Sequence, residues 1–498
     1  MSQLAKSDYQ KIEAGLTLPT GAYLGGKFVQ AKSGKMYQTT NPATGEVIGE
    51  YASCQAEDVD EAVRIARKTF ASGVWAKMHP SDRKKILMRF AKLVEEHMTE
   101  LALIESIDSG KPISECMTVD LPETVHCMEW HAEYADKRYN ALSPSGDNAV
   151  GLVLQEAIGV VACILPWNFP LMTAAWKIAP ALAEGNSVIV KPAGITTLSM
   201  LRLAELGTEA GIPDGVLQVI CGSGRIVGES LGMHNDVDLI SFTGSTEVGR
   251  QLLVYSAKSN LKKIVLELGG KSPFVVLDDV QDLSDAVENA LAASFWNMGQ
   301  NCTANSRLIV PAARKDEFVE KLVAGLEDWK IGDPLDPANN LGSMVSEGHF
   351  TSVMEFIEKG KQEARLVAGG DPLDIASGLF IPPTIFDDVP TDAVIAREEI
   401  FGPVTCVMGA ASNEEALAMA NDSQYGLQAT LFTDNLAKAH QYAKALQAGT
   451  VSVNVFCEGD ISTPFGGYKL SGFGGRDNAA HAHDQYTETK SIYMNIEL

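Results

Sequence analysis

The sequence contains no apolar segment long enough to span a membrane. The best candidate run, residues 159–165, stops at Pro166, whereas a transmembrane helix needs roughly 18 apolar residues. The amino-terminal residues also lack the apolar stretch of a secretory signal peptide. We therefore expect no association with a membrane.

Cysteine is sparse, with eight residues scattered through 498 and none in a CxxC pair. This spacing is not typical of a disulfide framework or of a structural zinc site, so we expect no metal. Few, dispersed thiols suit a reducing compartment, and we expect a cytoplasmic protein.

Basic residues are outnumbered, with 40 Lys and Arg against 64 Asp and Glu and a formal charge of −24. A surface with this excess of acid repels phosphate backbones and anionic lipid, so nucleic-acid binding is not expected. The composition is otherwise that of an ordinary globular protein, with 45% hydrophobic and 21% charged residues. Its length suggests roughly three structural units.

Hydrophobic periodicity predicts an α/β protein. Apolar residues recur at helical spacing from Val59 to Phe70 and from Ile86 to Val94, the second run behind a predicted N-cap at Ser81. Further along, short apolar runs alternate with helical stretches, which is typical of parallel βαβ units. Strands are predicted at residues 159–165, 187–190, 217–220, 238–242, 263–268 and 274–277, a helix at 283–295, and a second α/β unit from about residue 266.

The last residues alternate between apolar and polar side chains, with Ile492, Met494, Ile496 and Leu498 on one face. This pattern predicts a terminal strand, and such a strand must pair with another. Pairing within its own chain and pairing with a partner subunit both remain open.

Cys302 is a candidate nucleophile. It lies in the sequence FWNMGQNCTA, just after the predicted helix, where a glycine and two amides predict a turn that leaves the thiol accessible. Cys163, by contrast, lies in an apolar strand and is expected to be inert. Because a lone cysteine is more often structural than catalytic, this position alone decides nothing.

Two polar residues end predicted strands. Glu267 closes an apolar strand and is followed by two glycines, so it is either a solvent-facing strand end or a partly buried general base. Asn168 lies between Pro166 and Pro170, in a stiff loop that would hold an amide donor in one place. A turn-forming asparagine is the alternative there.

Glycine-rich turns follow two of the predicted strands. Gly244, Ser245 and Gly249 open a helix and could cradle a pyrophosphate, although they do not form a GxGxxG motif. Residues 222–228 form a second glycine group. Lys191 follows another strand and could place an ammonium near a ribose or phosphate.

Taken in order, the segments LPWNFP, KPA, FTGS, LELGGKS, GQNC, EEIFGPV and PFGGYKLSG resemble those of the NAD(P)-dependent aldehyde dehydrogenase superfamily. The resemblance extends over nearly the whole chain. The segment EGDISTPFGGYK in particular is similar to γ-glutamyl-γ-aminobutyraldehyde dehydrogenases, which belong to the aminoaldehyde group of the superfamily and to putrescine catabolism.

The resemblance implies a catalytic trio. Cys302 would attack the aldehyde, the amide of Asn168 and the backbone N–H of Cys302 would hold the oxyanion, and Glu267 would activate water against the resulting thioester. The presence of Glu267 favours water over coenzyme A as the acyl acceptor, so a free acid is the expected product.

The resemblance also implies a site for NAD. Relatives often carry a glutamate that binds the adenosine ribose three residues after the lysine; this chain has Gly194 there, so NADP is expected to be tolerated as well. The expected cofactor-binding residues are Trp167, Lys191, Gly194, Gly224, Gly228, Phe242, Gly244, Ser245, Glu399 and Phe401.

Acidic and aromatic side chains are expected to surround the aldehyde and to favour a cationic tail, as on an ω-aminoaldehyde. They are Asp120, Glu123, Glu458, Asp460, Phe169, Trp176, Trp296 and Phe465. The alternatives are a broad-specificity or betaine-type aldehyde dehydrogenase, a coenzyme-A-acylating enzyme, and an inactive structural or binding relative.

The implied architecture is an aldehyde-dehydrogenase-like α/β fold. It would have a Rossmann-type cofactor domain at residues 1–135 and 157–265, an α/β catalytic domain at 266–480, and a small β oligomerisation arm at 136–156 and 481–498. By the same resemblance, a homodimer or homotetramer is expected.

Overall fold

The computed structural model describes residues 4–496. The strands, in chain order, are β1 Ala22–Leu24, β2 Lys27–Val29, β3 Met36–Thr40, β4 Val47–Ala52, β5 Ala141–Ser143, β6 Ala149–Ala157, β7 Val160–Ile164, β8 Ser187–Lys191, β9 Leu217–Val219, β10 Leu239–Thr243, β11 Lys263–Glu267, β12 Pro273–Val276, β13 Arg307–Pro311, β14 Arg365–Ala368, β15 Thr384–Asp387, β16 Val404–Ala410, β17 Gln428–Phe432, β18 Thr450–Val453, β19 Gly472–Phe473 and β20 Thr487–Asn495.

Helices connect and cover these strands. They are α1 Lys6–Glu13, α2 Ala56–Ser72, α3 Pro80–Glu96, α4 Met98–Ser109, α5 Ile113–Glu115, α6 Leu121–Tyr134, α7 Pro170–Ala183, α8 Leu198–Ala210, α9 Glu229–Met233, α10 Thr246–Lys258, α11 Ser284–Phe295, α12 Lys315–Ala324, α13 Glu347–Glu363, α14 Val394–Arg397, α15 Asn413–Asn421, α16 Leu436–Ala445 and α17 Ala479–Gln485. Within residues 4–496, no helix is both long and apolar enough to cross a bilayer.

The first sheet has the order β19-β11-β10-β7-β8-β9-β1-β2. Its five central strands run parallel, and they include the predicted strands up to residue 268. Both faces of these strands are buried under helices, so their side chains are apolar without alternation. The predicted βαβ arrangement is confirmed here.

The chain changes direction across this sheet at β7. From β7 it proceeds to β8 and β9 on one side, and then crosses to β10 and β11 on the other. Ligands of open α/β sheets bind in the crevice beyond the carboxyl ends of the strands at such a reversal. The loops after β7 and β10 therefore mark the expected site.

The second sheet has the order β14-β15-β16-β13-β12-β17-β18, and it is parallel except for β14. The predicted boundary at residue 266 falls inside β11, which belongs to the first sheet and ends at Glu267. The chain also returns to the first sheet late, because β19 pairs antiparallel with β11. Glu267 consequently ends a strand of one unit just before the chain enters the other.

The carboxyl-terminal strand β20 pairs antiparallel with β6 over nine residues, from Thr487 opposite Ala157 to Asn495 opposite Ala149. Of the two open interpretations, pairing within the chain is confirmed. With β5 these strands form a separate sheet in which β20 is an edge strand. The predicted position of Leu498 lies outside the described residues.

Helix α3 begins at Pro80, two residues earlier than a cap at Ser81 predicts. The capping residue is His79, whose Nδ1 accepts from the backbone N–H of Ser81 at 3.3 Å. Proline is favoured at the first helical position because that position needs no N–H donor, so the helix starts there.

Candidate active site

A cavity of about 730 Å³ opens at the carboxyl ends of β7 and β10, where the sheet topology reverses. Both apolar and ionisable side chains line it. Of the residues predicted from the sequence, it brings together Trp167, Asn168, Phe169, Trp176, Lys191, Gly224, Gly228, Phe242, Gly244, Ser245, Glu267, Cys302, Glu399, Phe401, Glu458 and Phe465.

Cys302 lies in the loop between α11 and β13, directly on the cavity. The chain enters this loop through three consecutive residues with left-handed backbone, Asn297, Met298 and Gly299, at φ of 52°, 55° and 65°. A Cβ on Gly299 would lie 2.2 Å from the carbonyl oxygen of Gly402, so glycine is required for this approach. The tight turn delivers a half-buried thiol to the cavity, as the sequence predicted.

The thiol of Cys302 lies in an acidic environment. Burial raises its pKa well above the usual range, and the nearby carboxylates of Glu458, Glu399 and Glu267 raise it further. In the protein without cofactor the sulfur is therefore mainly a thiol and not a thiolate at neutral pH.

Asn168 is held beside the nucleophile loop. Its Nδ2 donates to the backbone carbonyl oxygen of Gln300 at 3.0 Å, and the backbone carbonyl oxygen of Asn168 accepts from Nδ2 of Asn297 at 3.1 Å. Both contacts are buried. Since an amide nitrogen carries two hydrogens, one N–H of Asn168 remains for another acceptor.

Glu267 ends β11 with its side chain only 3% exposed, and neither carboxylate oxygen has a hydrogen-bond partner among the described residues. Space for the carboxylate depends on Gly466, because a Cβ there would lie 2.6 Å from Oε1. Burial raises the pKa of Glu267 well above its usual range, and the nearby Asp477 raises it further. A carboxyl group with this property is suited to act as a base near neutral pH.

One side of the cavity carries the features that bind phosphates. Helix α10 begins there with Ser245 as its N-cap, and Ser245 Oγ accepts from the backbone N–H of Val248 at 3.4 Å. Opposite it, Gly224 and Gly228 face open space, with no atom within 4 Å of where a Cβ would stand. A helix N-terminus beside unobstructed backbone fits a pyrophosphate.

Two buried charged groups fit the sugars of a dinucleotide. Lys191 donates to the carbonyl oxygen of Pro192 at 2.8 Å, and burial lowers its pKa to about 8. Glu399 accepts from the backbone N–H of Gly270 at 2.8 Å, and burial raises its pKa to about 7. A Cβ on Gly269 would lie 2.0 Å from Glu399, and one on Gly270 would lie 2.4 Å from the backbone oxygen of Cys302, so both positions require glycine.

The sequence profile of the aldehyde dehydrogenase family matches residues 28–492. The chain belongs to the aldehyde dehydrogenase family. As a member it is an enzyme that oxidises aldehydes to carboxylic acids, and its α/β architecture is the fold that the resemblance implied.

Relatives of this aldehyde dehydrogenase align over almost their full length. An aminoacetaldehyde dehydrogenase of Pseudomonas aeruginosa is 50% identical over 492 residues, 99% of each chain. The NADP/NAD-dependent aldehyde dehydrogenase PuuC of Escherichia coli is 42% identical over 98% of each chain. The likeness to aminoaldehyde enzymes predicted from the sequence is therefore confirmed.

Solved structures superpose equally well. The γ-glutamyl-γ-aminobutyraldehyde dehydrogenase of Burkholderia cenocepacia has a TM-score of 0.97 at 46% identity, covering 99% of this chain and 100% of that one. The indole-3-acetaldehyde dehydrogenase AldA of P. syringae, in complex with NAD+ and IAA, has a TM-score of 0.97 at 44% identity with the same coverage.

Asp120 is not where the sequence placed it. It was expected at the mouth of the aldehyde cavity, but its side chain is fully buried and forms an ion pair with Lys111, outside the cavity lining. A buried carboxylate needs a partner, and Lys111, nine residues earlier, supplies one. No local sequence pattern identifies this partner.

Other predicted residues also lie outside the cavity lining. Glu123 is half-buried and lies near the exposed Asp460, which contributes to raising the pKa of Glu123 after the larger effect of burial. Trp296 packs against Phe169 with ring centroids 5.1 Å apart. Gly194 adjoins the lining residue Ala193, and its carbonyl accepts from the hydroxyl of Tyr51.

Sequence reasoning missed His349, Lys177 and Asp477. His349 lines the cavity, donates to the carbonyl of Phe401 at 2.7 Å and contacts the ring of Trp167. Asp477 also lines the cavity and forms a fully buried ion pair with Lys177 at 2.9 Å. The two members of that pair are 300 residues apart, so no local pattern connects them.

Proposed function

We propose that the enzyme oxidises an ω-aminoaldehyde, of the γ-glutamyl-γ-aminobutyraldehyde type, to the corresponding acid with NAD+ as hydride acceptor. The observation that carries the proposal is the meeting of Cys302, Asn168, Glu267 and the carboxylate of Glu458 on one cavity. The names of the aminoacetaldehyde and γ-glutamyl-γ-aminobutyraldehyde relatives support the substrate class.

In the first step, Cys302 loses its thiol proton to solvent water, and the resulting thiolate attacks the aldehyde carbon while the carbonyl π electrons move to oxygen to form a thiohemiacetal oxyanion. The free N–H of Asn168 and the backbone N–H of Cys302 stabilise this oxyanion. Such donors act most strongly when they are fixed before the reaction, and Asn168 is fixed by Gln300 and Asn297.

Bound NAD+ would supply the acceptor for the hydride that leaves this carbon, and the acyl group would then remain on Cys302 as a thioester. Glu267 then takes a proton from water, the hydroxide oxygen attacks the thioester carbon, and the carbon–sulfur bond breaks to release the acid and the thiolate. Its raised pKa lets Glu267 accept and return this proton near neutral pH.

The residues that would hold the cofactor are those whose geometry fits it. Ser245 and the first turn of α10, with Gly244, Gly224 and Gly228, would bind the pyrophosphate. Lys191 and Glu399 would meet the ribose hydroxyls, and Trp167, Phe242 and Phe401 would supply apolar contacts. Because Gly194 carries no carboxylate to repel a 2′-phosphate, NADP+ is accepted too, as the name of PuuC supports for that relative.

The substrate class rests on the carboxylates and aromatic rings of the cavity. Trp176 and Phe465 pack with centroids 4.9 Å apart, and Glu458 accepts from the buried hydroxyl of Thr303 at 2.5 Å. A carboxyl group and aromatic rings that line the same cavity suit an amino or amido tail. Glu123 and Asp460 would add negative charge along the approach.

A panel of aldehydes tests this substrate class. Aminoaldehydes and neutral aldehydes of matched length are compared in kcat/KM with NAD+ and NADP+, and with and without coenzyme A. The proposal expects higher kcat/KM for the aminoaldehydes, no need for coenzyme A and no activity in Cys302→Ala. Equal kcat/KM for both aldehyde classes would instead favour the broad-specificity or betaine-type alternative. The mainly apolar lining of the cavity is also compatible with that alternative.

Exchange of single acids sharpens the same test. Glu458→Gln and Asp460→Asn are expected to raise KM for cationic substrates and to spare neutral ones. If KM rises equally for cationic and neutral substrates, these acids stabilise the fold and do not recognise the charge of the substrate.

We further propose a cytoplasmic homodimer or homotetramer. The absence of a disulfide among the eight cysteines supports a reducing compartment. Exposed apolar side chains on the small sheet, Leu142 and Tyr493 at 71% and 74%, support burial of this sheet against another subunit. Light scattering of the purified protein tests the oligomeric state.

A further inference from the structure

We propose that the buried ion pair of Lys111 and Asp120 positions the aromatic wall of the aldehyde cavity through Phe169. Both side chains are almost wholly buried, at 2% and 1% exposure, and Lys111 Nζ lies 2.5 Å from Asp120 Oδ2. The same ammonium lies over the ring of Phe169, 3.9 Å from its centroid. Phe169 itself lines the cavity.

Geometry alone links these groups. An ammonium over the centre of a ring is attracted to the ring's negative face, and the attraction is strongest where water is excluded. Asp120 fixes the ammonium, and the ammonium fixes the ring. The backbone of Lys111 is fixed as well, because its carbonyl accepts from the hydroxyl of Ser106 at 2.7 Å.

Neighbouring side chains of the same segment support this wall at two further points. Glu105 accepts from the backbone N–H of Leu171 at 2.8 Å, just after Phe169. The indole N–H of Trp296, whose ring packs against Phe169, donates to Glu115. Residues 105–120 therefore contact the Phe169 region at three points, through Glu105, Lys111 and Glu115.

Stability does not account for the ion pair. Removing two charges from water costs free energy that their attraction often fails to recover, and apolar pairs of similar volume are often as stable or more so. A bare carboxylate or ammonium at this site would be costly, but Met and Leu would not. The distinctive contribution of Lys111 is the placement of the Phe169 ring.

Loss of the Lys111–Asp120 ion pair is expected to weaken binding of the aldehyde and to leave the chemical step unaffected. Asn168, the adjacent residue, is held separately by Gln300 and Asn297. Loss of the ion pair therefore frees the ring without freeing the oxyanion donor. Lys111 and Asp120 are accordingly positioning residues, and this inference rests on the proposed contact between Phe169 and the aldehyde.

The test is the double variant Lys111→Met/Asp120→Leu, which removes both charges without leaving either one unpaired. We expect KM for the aldehyde to rise about tenfold, a size that a buried cation–π contact can supply. KM for NAD+ should not change, and kcat per titratable Cys302 should stay within about threefold, since the donors around the oxyanion are untouched. Lys111→Arg keeps the charge over the ring and should restore KM toward that of the native enzyme.

The control is Lys315→Met/Asp387→Leu, an ion pair at 2.7 Å with a buried carboxylate that lies away from the cavity. We expect this control to change the melting temperature and to leave KM for the aldehyde unchanged. The inference is overturned if Phe169→Leu raises KM for the aldehyde but Lys111→Met/Asp120→Leu does not. In that case a lower melting temperature or fewer titratable thiols in the double variant would show that the ion pair serves the fold only. If Phe169→Leu also leaves KM unchanged, the proposed aromatic wall itself is wrong, and the inference falls with it.

Discussion

The side-chain amide of Asn168 donates to the carbonyl oxygen of Gln300, two residues before Cys302, at 3.0 Å. This bond joins the loop after β7 to the loop before β13, across 132 residues of sequence. Asn168 and Cys302 line the same cavity. In the proposed mechanism, the position of the oxyanion donor Asn168 therefore depends on the contact between these two loops.

Replacement of this amide should slow the chemical step. In Asn168→Ala we expect kcat/KM to fall about 100- to 1,000-fold, the usual cost of losing one oxyanion donor. Steady-state kinetics measure the loss, and fluorescence titration should show unchanged binding of NADH. A loss below about tenfold would mean that the backbone N–H of Cys302 suffices.

Glu267 should control the acid side of the pH profile. Because burial raises the pKa of Glu267, the carboxyl is protonated over a wider acidic range, and kcat should fall as the pH falls through this raised pKa. In Glu267→Gln we expect a stoichiometric burst of NADH, followed by a steady rate about 100-fold lower. Stopped-flow absorbance measures both phases. Normal steady turnover of the variant would assign the base elsewhere.

The acid groups around Cys302 should suppress its reactivity in the free enzyme. A nearby negative charge raises the pKa of a thiol, and Glu458 is the largest such contributor after burial. In Glu458→Gln the thiol pKa should drop, so iodoacetamide should alkylate Cys302 faster at pH about 8. The exposed Asp316→Asn serves as the control. Equal alkylation rates in Glu458→Gln and the native enzyme would contradict this electrostatic account.

Gly194 should decide tolerance of NADP+. The backbone at Gly194 is not left-handed, and a Cβ there would lie 3.4 Å from the Tyr51 hydroxyl. A side chain therefore fits at this position with a small shift of Tyr51. In Gly194→Glu the new carboxylate should repel a 2′-phosphate and lower kcat/KM for NADP+ at least about tenfold relative to NAD+. Gly194→Ala separates the charge from the bulk. If both variants lose NADP+ activity equally, the effect is steric.

Much of the first sheet was predictable because its central strands are buried on both faces. Runs such as residues 187–190 then consist of apolar residues without interruption, and the pattern marks the strand directly. Helix starts were less certain, since His79 caps α3 through its ring, a contact that the usual Ser, Thr, Asp and Asn preferences do not anticipate.

Some residues of the candidate site could likewise be predicted from the sequence, and others could not. Residues that lie at the ends of strands, such as Glu267, or in turns that demand glycine, such as the one before Cys302, stand out in the sequence because local geometry restricts them. Asp120 does not, because whether an acid on a helix faces substrate or a buried lysine depends on what packs against it. Trp296 likewise supports Phe169 from behind instead of lining the cavity.

The sequence by itself determined the α/β class, the family and the set of groups able to perform the chemistry. Apolar periodicity and close backbone approach each restrict the residue types within a short segment, so both can be recognised in the sequence. Only the tertiary structure decided which acids line the cavity and which form ion pairs in the core. Burial and ion pairing join residues as distant as Lys177 and Asp477. Such partners are chosen by the packing of whole elements, which no short segment encodes.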